Sequence, residues 1–375
     1  MTADTRITAF RTDVARDARA TPRTRRALLL GGPAAIGGAA IVGASVGPWV
    51  RIARAAGKPA LEQPSLKLAV GGKAALYYLP LSIAEQRGYF RDEGLELEIV
   101  DFAGGSKALQ AVVGGSAAVV SGAYEHTINL QARKQYFTAF VVQGRAPQIS
   151  IGVAKAKAGS FKSAADLKGM KIGVSAPGSS THLMATFFMA KAGLKPTDAA
   201  FIGVGTGQGA IAAVRSGQID AISNTDPIMT MLERADGLKV VATSRTDKGT
   251  REVFGGPMPA ACLYAPESWV KANPNTAQAL ANAIVRADKW LQSAGPSDIV
   301  KTVPESYLLG DRAVYLAAFE NVRGAFSPDG LMPEGGPQTA LKMLASAKPD
   351  LAKAGIDLAR TYTNAFARKA ASLKV

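Results

Sequence analysis

With 375 residues, 47% apolar and 19% charged, the chain can bury a core of domain size and is not a disordered tail. Its formal net charge is +15, but residues 1–55 hold nine Arg and three Asp, which leaves the remainder at only +9. No dense Lys/Arg tract with interleaved aromatics survives there, which argues against nucleic-acid binding, and a lone Cys262 excludes an internal disulfide.

The first segment reads as a targeting signal. Arg25-Arg26 stands directly before the uncharged run Ala27–Val50, and Ala53-Arg54-Ala55 offers a small-x-small cleavage site. Six Gly and two Pro within that run weaken it as a membrane-spanning helix. A twin-arginine signal peptide over 1–55 and an exported, periplasmic mature protein are expected. No Cys ends the signal, so no lipid anchor is expected.

From Ser65 onward strand and helix patterns alternate, pointing to an α/β fold with mostly parallel sheet. Strands are expected at 66–70, 95–100, 117–121 and 137–142, with helices from Pro80, over 107–113 and over 125–134. A second series places strands at 171–175, 200–204, 219–223 and 238–243, and helices at 180–192, 209–215 and 228–234. A last strand at 262–265 precedes a mainly helical C-terminal part, with amphipathic stretches near 276–293 and 312–326.

One unit is written twice. ALQAVVGGSAAVVSG (108–122) and AIAAVRSGQIDAISN (210–224) share Ala, Ala, Val, Gly and Ser at one offset, each as helix, glycine turn, apolar strand and small-residue loop. Two lobes built on one plan follow: 65–155 with the returning 255–375 as lobe one, and 156–254 as lobe two. Crossings between them are expected near 150–155 and 249–259.

In open parallel sheets ligands sit beyond the carboxyl ends of the strands, so the loops there are the candidate site. They contain Gly104, Gly105 and Ser106; Gly122, Ala123, Tyr124 and His126; Ser179, Ser180, Thr181 and His182; Thr206 and Gln208; and Asn224 and Asp226. Glycine lets backbone N–H groups approach a ligand, helix N-termini offer free donors, and Ser or Thr adds a hydroxyl, a combination suited to small oxyanions. Ser179, Ser180 and Thr181 equally suit plain helix capping, and Asp226-Pro227 equally suits a cap followed by a first-turn proline. Tyr77 and Tyr78 are candidates for an aromatic wall or for edge packing. Lys73, Lys107 and Arg145 are candidate counter-charges. No nucleophile elbow, HExxH zinc motif or phosphate loop is present, and two histidines without a partner cysteine do not make a standard zinc site. No catalytic residue, metal or cofactor is expected.

The stretches Pro80–Ile99, Gly104–Ser106, Asp166–Val174, Gly178-Ser179-Ser180-x-His182 and Ala213–Ala221, with Asp226-Pro227 behind them, together resemble the nitrate/taurine/aliphatic-sulfonate class of ABC-importer solute-binding proteins. The resemblance implies a two-lobed type II periplasmic binding protein, with mixed, mostly parallel sheets, that closes on a solute. Its partners would be a small-molecule solute and an inner-membrane ABC permease with its ATPase, and the protein would be a monomer and not an enzyme. The resemblance puts the counterparts of Gly104–Ser106, Gly122–Tyr124, Ser179–His182 and Asn224–Asp226 in the interlobe cleft. Two departures stand out: the first copy lacks the Asp that Asp220 supplies in the second, and Gly122–His126 is bulkier than a sulfonate binder needs, hinting at a larger, aromatic anion. The rival within the same superfamily is a thiamine-pyrimidine precursor binding protein or enzyme.

Overall fold

Strand patterns with both faces apolar need cover on both sides, and the structure supplies it. The computed structural model describes residues 59–373; the expected signal peptide over 1–55 lies outside them. Ten strands are described: Ser65–Gly71 (β1), Glu96–Phe102 (β2), Val119–Ala123 (β3), Phe137–Val142 (β4), Ile149–Val153 (β5), Lys171–Val174 (β6), Ala200–Gly203 (β7), Ala221–Thr225 (β8), Lys239–Thr243 (β9) and Ala261–Pro266 (β10). They form two five-stranded sheets, ordered β2-β1-β3-β10-β4 and β7-β6-β8-β5-β9. β1 runs parallel to β2 and β3, and β10 lies antiparallel between β3 and β4. The second sheet repeats this: β6 is parallel to β7 and β8, and β5 is antiparallel between β8 and β9.

The duplicated sequence falls on equivalent elements. Helix Gly105–Val113 leads into β3, and helix Gln208–Arg215 leads into β8. The shared glycines, Gly115 and Gly217, take φ of 77° and 70°, the left-handed turn that closes a helix most cheaply with glycine. Asp220, the residue found in one copy only, accepts the Lys171 N–H at 2.9 Å and so fixes the start of β6.

Several expectations need correction. Residues 150–155 were expected to cross between lobes, yet 149–153 is β5, paired on both sides within the second sheet, so the chain crosses earlier, between β4 and β5. Residues 249–254 belong to helix Asp247–Phe254, because Thr246 caps it through the Gly249 N–H, and the return crossing follows at 255–260. Strand β3 ends two residues later than expected, which puts Gly122 and Ala123 in the sheet and not in a loop. Likewise Asn224 is in β8.

Apolar clusters cover both faces of the second sheet. Ile211, Ile222 and Leu232 pack on one, and Phe161, Ile172 and Met189 on the other. The long helix Pro274–Ser293 buries Leu280, Ile284 and Leu291 in the core of the first sheet, each apolar side chain contributing roughly 1.5–3 kcal/mol. The C-terminal helices also reach the second lobe. Gly336–Ala347 packs on Ser180–Ala190, and Arg312–Val322 packs on Ile228–Asp236, where Asn321 Nδ2 donates to Thr230 Oγ1 at 3.1 Å.

Candidate functional site

The turns at the carboxyl ends of β1, β2, β6 and β7 meet face to face, and the absence of side chains permits it. A Cβ on Gly104 would lie 2.8 Å from the Ala176 Cβ, and one on Gly72 would lie 2.1 Å from Thr206 Oγ1. Within the first lobe, a Cβ on Gly71 would strike the Gly104 carbonyl carbon at 2.2 Å. Hydrogen bonds then join the lobes. The Ser106 N–H donates to Ser179 Oγ (3.0 Å), Ser106 Oγ donates to the Pro177 carbonyl (2.9 Å), and the Leu76 N–H donates to the Asp226 carbonyl (2.9 Å).

Inside these contacts lies a cavity of about 30 Å³, walled by Tyr77, Tyr78 and Gly105 from the first lobe and by Ser175, Ser179, Ser180, Thr181, Thr206 and Thr225 from the second. That is space for about a water or two, a closed arrangement. Helix Ser180–Ala190 begins at its wall, presenting unpaired backbone donors. Tyr77 and Tyr78 sit on a short 3-10 turn, edge to face at 4.8 Å, both buried. Thr181 Oγ1 accepts the Ser175 N–H at 3.0 Å and so rigidifies the turn before the helix. Among the described residues no Lys or Arg lines this cavity.

Its titratable neighbour is a carboxyl that sequence reasoning passed over. Glu125 is buried beside Tyr77 and Ser180. Burial raises its pKa, opposed by a hydrogen bond to Ser180. Its signal was visible as the only acid in the loop GAYEH.

A larger chamber of about 490 Å³ adjoins the other side of the Ser106–Pro177 bridge. His126 and His182 are among the residues around it, each with a buried Nε2 that has no hydrogen-bond partner among the described residues. Burial, and then the Lys348 charge, lowers the pKa of both, that of His126 to about 4. His182 Nδ1 accepts the Gly178 N–H at 2.8 Å and its ring lies 4.2 Å from that of Phe201.

The predicted residues therefore divide. Tyr77, Tyr78, Gly105, Ser179, Ser180, Thr181 and Thr206 wall the inner cavity; Ser106, His126 and His182 line the outer chamber; Gly104 makes the lobe contact. Others are placed elsewhere, and the reasons are physical. Tyr124 turns into the core, its hydroxyl 2.6 Å from Thr361 Oγ1. Gly122 makes room for Tyr264, and Ala123 is buried in the first core. Gln208 is exposed at the start of its helix. Asn224 ties down the next turn, donating to the Gly205 carbonyl at 2.9 Å. The Asp226 carboxylate is fully engaged: it accepts from Thr230 and from Arg245, whose Nε lies 2.6 Å away. Arg245 carries no oxygen-binding motif and was not legible beforehand. Among the counter-charge candidates, Lys73 pairs with Glu85 at 2.6 Å and Arg145 donates to the Gly324 carbonyl.

Two sheets of one strand order, joined by two crossings and meeting at their strand-end turns, define a two-lobed type II periplasmic binding fold. The chain belongs to the NMT1-like family, whose model matches residues 60–303. It is similar to a solved protein of Bordetella bronchiseptica RB50, with 60% identity, a TM-score of 0.82, and coverage of 83% of this chain and 98% of that one. The alkanesulfonate-binding protein SsuA of Xanthomonas axonopodis pv. citri, solved bound to MOPS, shares the fold at 20% identity and TM-score 0.61, over 82% of this chain and all (100%) of that one. So does the periplasmic nitrate-binding protein NrtA of Synechocystis PCC 6803, at 16% identity and TM-score 0.61, over 84% of this chain and 89% of that one.

Proposed function

We propose that the chain is the periplasmic solute-binding component of an ABC importer, exported by the twin-arginine route. It captures a small organic anion, a sulfonate, a carboxylate or an aromatic acid, between its lobes and hands it unchanged to a membrane permease. The observation that carries this reading is the hydroxyl-lined cavity enclosed by glycine turns from both sheets, with the start of helix Ser180–Ala190 at its wall. Hydroxyls and backbone N–H groups can donate to an oxyanion, while the tyrosines offer flat apolar surface. Opening at the two crossings, 143–148 and 255–260, would admit the solute, and closing would desolvate it. The sulfonate and nitrate binders that share the fold supply the anion classes to try first.

One observation favours a second reading. A buried carboxyl such as Glu125 also suits the N–H edge of a neutral heterocycle, so a thiamine-pyrimidine precursor belongs in the same test. A thermal-shift panel of sulfonates, nitrate, bicarbonate, aromatic carboxylates and thiamine precursors decides. At a hundredfold excess over Kd, binding adds about 2.7 kcal/mol. The gain should fall in Ser180→Ala and in Thr206→Val, both at residues that wall the cavity. No hit across the panel, or hits indifferent to both variants, would reject the cleft as the site.

A further inference from the structure

Gly105 differs from the other glycines at the lobe contact. Its φ lies outside the left-handed region, so the backbone does not require glycine there. Crowding does not require it either. A Cβ on Gly105 would sit 3.5 Å from Tyr78 Oη, 3.8 Å from His126 Nε2 and 4.0 Å from Ser179 Oγ, all ordinary contacts. The missing methyl therefore leaves a niche for about one heavy atom on the wall of the inner cavity. Three polar atoms ring it, each from a different element: the 3-10 turn Leu76–Tyr78, helix Glu125–Gln131, and the residue that opens helix Ser180–Ala190 in the other lobe.

One of the three atoms is an orphan. His126 is only 3% exposed, and its Nε2 is covered and without a hydrogen-bond partner among the described residues. Buried polar atoms are normally satisfied, so the niche lacks a partner group. Ser179 does not supply it. Its Oγ accepts the Ser106 N–H and donates to Ser106 Oγ at 3.2 Å, and Ser106 Oγ passes its own proton to the Pro177 carbonyl. Burial, and then the Lys348 charge, lowers the His126 pKa to about 4. The ring is therefore neutral at pH 7, with one nitrogen able to donate and the other to accept. Ser179 covers the niche from the second lobe, so parting the lobes gives Nε2 access to water. Closing them over an empty niche removes that water and returns nothing.

We infer that His126 is a specificity-determining residue of the inner cavity, its Nε2–H donating to one oxygen of the solute lodged over Gly105, between Tyr78 and Ser179. The inference rests on the reading of that cavity as the solute site. It gives the imidazole two effects. A solute that places a sulfonate or carboxylate oxygen in the niche satisfies Nε2, and one that places a methyl there does not. Closure without solute leaves Nε2 unpaired, so His126 biases the empty protein towards the open form and the loaded protein towards the closed one.

The test has two arms on the full chain. In the first, methanesulfonate, benzenesulfonate and benzoate are titrated calorimetrically. For each compound that binds wild type, Gly105→Ala, which fills the niche, and His126→Phe, which keeps a ring without the nitrogen, should each lower affinity about tenfold, the worth of one charge-assisted bond. His126→Gln, which keeps an amide donor, should recover most of the loss, and Gly105→Ala should leave the solute-free melting temperature unchanged. In the second arm, small-angle scattering without solute should give His126→Phe a smaller radius of gyration than wild type, because closing empty no longer strands a polar atom. Equal affinity in wild type, Gly105→Ala and His126→Phe overturns the inference. If Ser180→Ala and Thr206→Val still weaken binding in that case, the cavity remains the solute site and only the His126 contact falls. If none of the compounds binds wild type, the cavity reading fails for these classes, and the scattering arm decides on His126: an equal solute-free radius in wild type and His126→Phe overturns its role.

Discussion

Glu125 and His126 are neighbours in sequence, both buried, and burial moves them in opposite directions. His126 falls to about 4 from an ordinary value near 6.5, so the folded protein binds its proton less readily than the unfolded chain. Its contribution to stability is therefore full above about pH 6.5 and is lost as pH falls towards 4, by roughly 3 kcal/mol. The Lys348 ammonium pushes in the same direction, and Arg133 is the other cation on that chamber. Glu125 does the reverse: its raised pKa adds stability below the unfolded carboxyl range, lost as pH rises through its folded value. Melting temperatures between pH 4 and 8 should show a shallower acid limb in His126→Gln. Glu125→Gln should gain on wild type at the alkaline end. An unchanged acid limb in His126→Gln would mean that its proton is not excluded by the fold.

At the scale of elements, two glycines at one turn have separable roles. Gly104 has an extended backbone (φ 173°) that any residue adopts, and its crowding is with Ala176 across the cleft. Gly71 is crowded by its own lobe, against Gly104 and Gly105. Gly104→Ala should therefore leave the melting temperature nearly unchanged but weaken solute binding, with Ala176→Gly restoring only part of it, because the backbone of Ser175 and Ala176 would still lie 3.1–3.2 Å from the added Cβ. Gly71→Ala should destabilise the fold itself by about 1–3 kcal/mol through overpacking. A Gly104→Ala protein that binds normally would show that the two turns need not touch. Much of this architecture was legible beforehand, because the repeated Ala-x-x-Ala-Val…Gly unit records the helix–turn–strand that each sheet uses, glycine being needed at 115 and 217 by the backbone sign alone. Strand β5 was not, since ISIGV sits between turns without a partner helix and earns its place only by pairing with β8 and β9. The site divided similarly. Ser179, Ser180 and Thr206 announced themselves as hydroxyls on glycine turns. Tyr124 and Asp226 look the same in sequence, and their long-range partners Thr361 and Arg245 turn them to packing and to an internal ion pair.

For the whole molecule, the decisive property is that the two sheets bring equivalent ends together and that the C-terminal helices touch both lobes. On the proposed reading, closing would have to slide Gly336–Ala347 over Ser180–Ala190, or carry it along, while the turns at 104–106 and 176–179 come into register. Helices packed in this way accommodate small sliding shifts more readily than separation. Small-angle X-ray scattering of the full chain, with and without whichever panel solute raises its melting temperature, tests closure most directly. The radius of gyration should fall when the solute saturates wild type and should not fall in Gly104→Ala at the same concentration. An unchanged radius in wild type at saturation would contradict closure of two lobes on one solute.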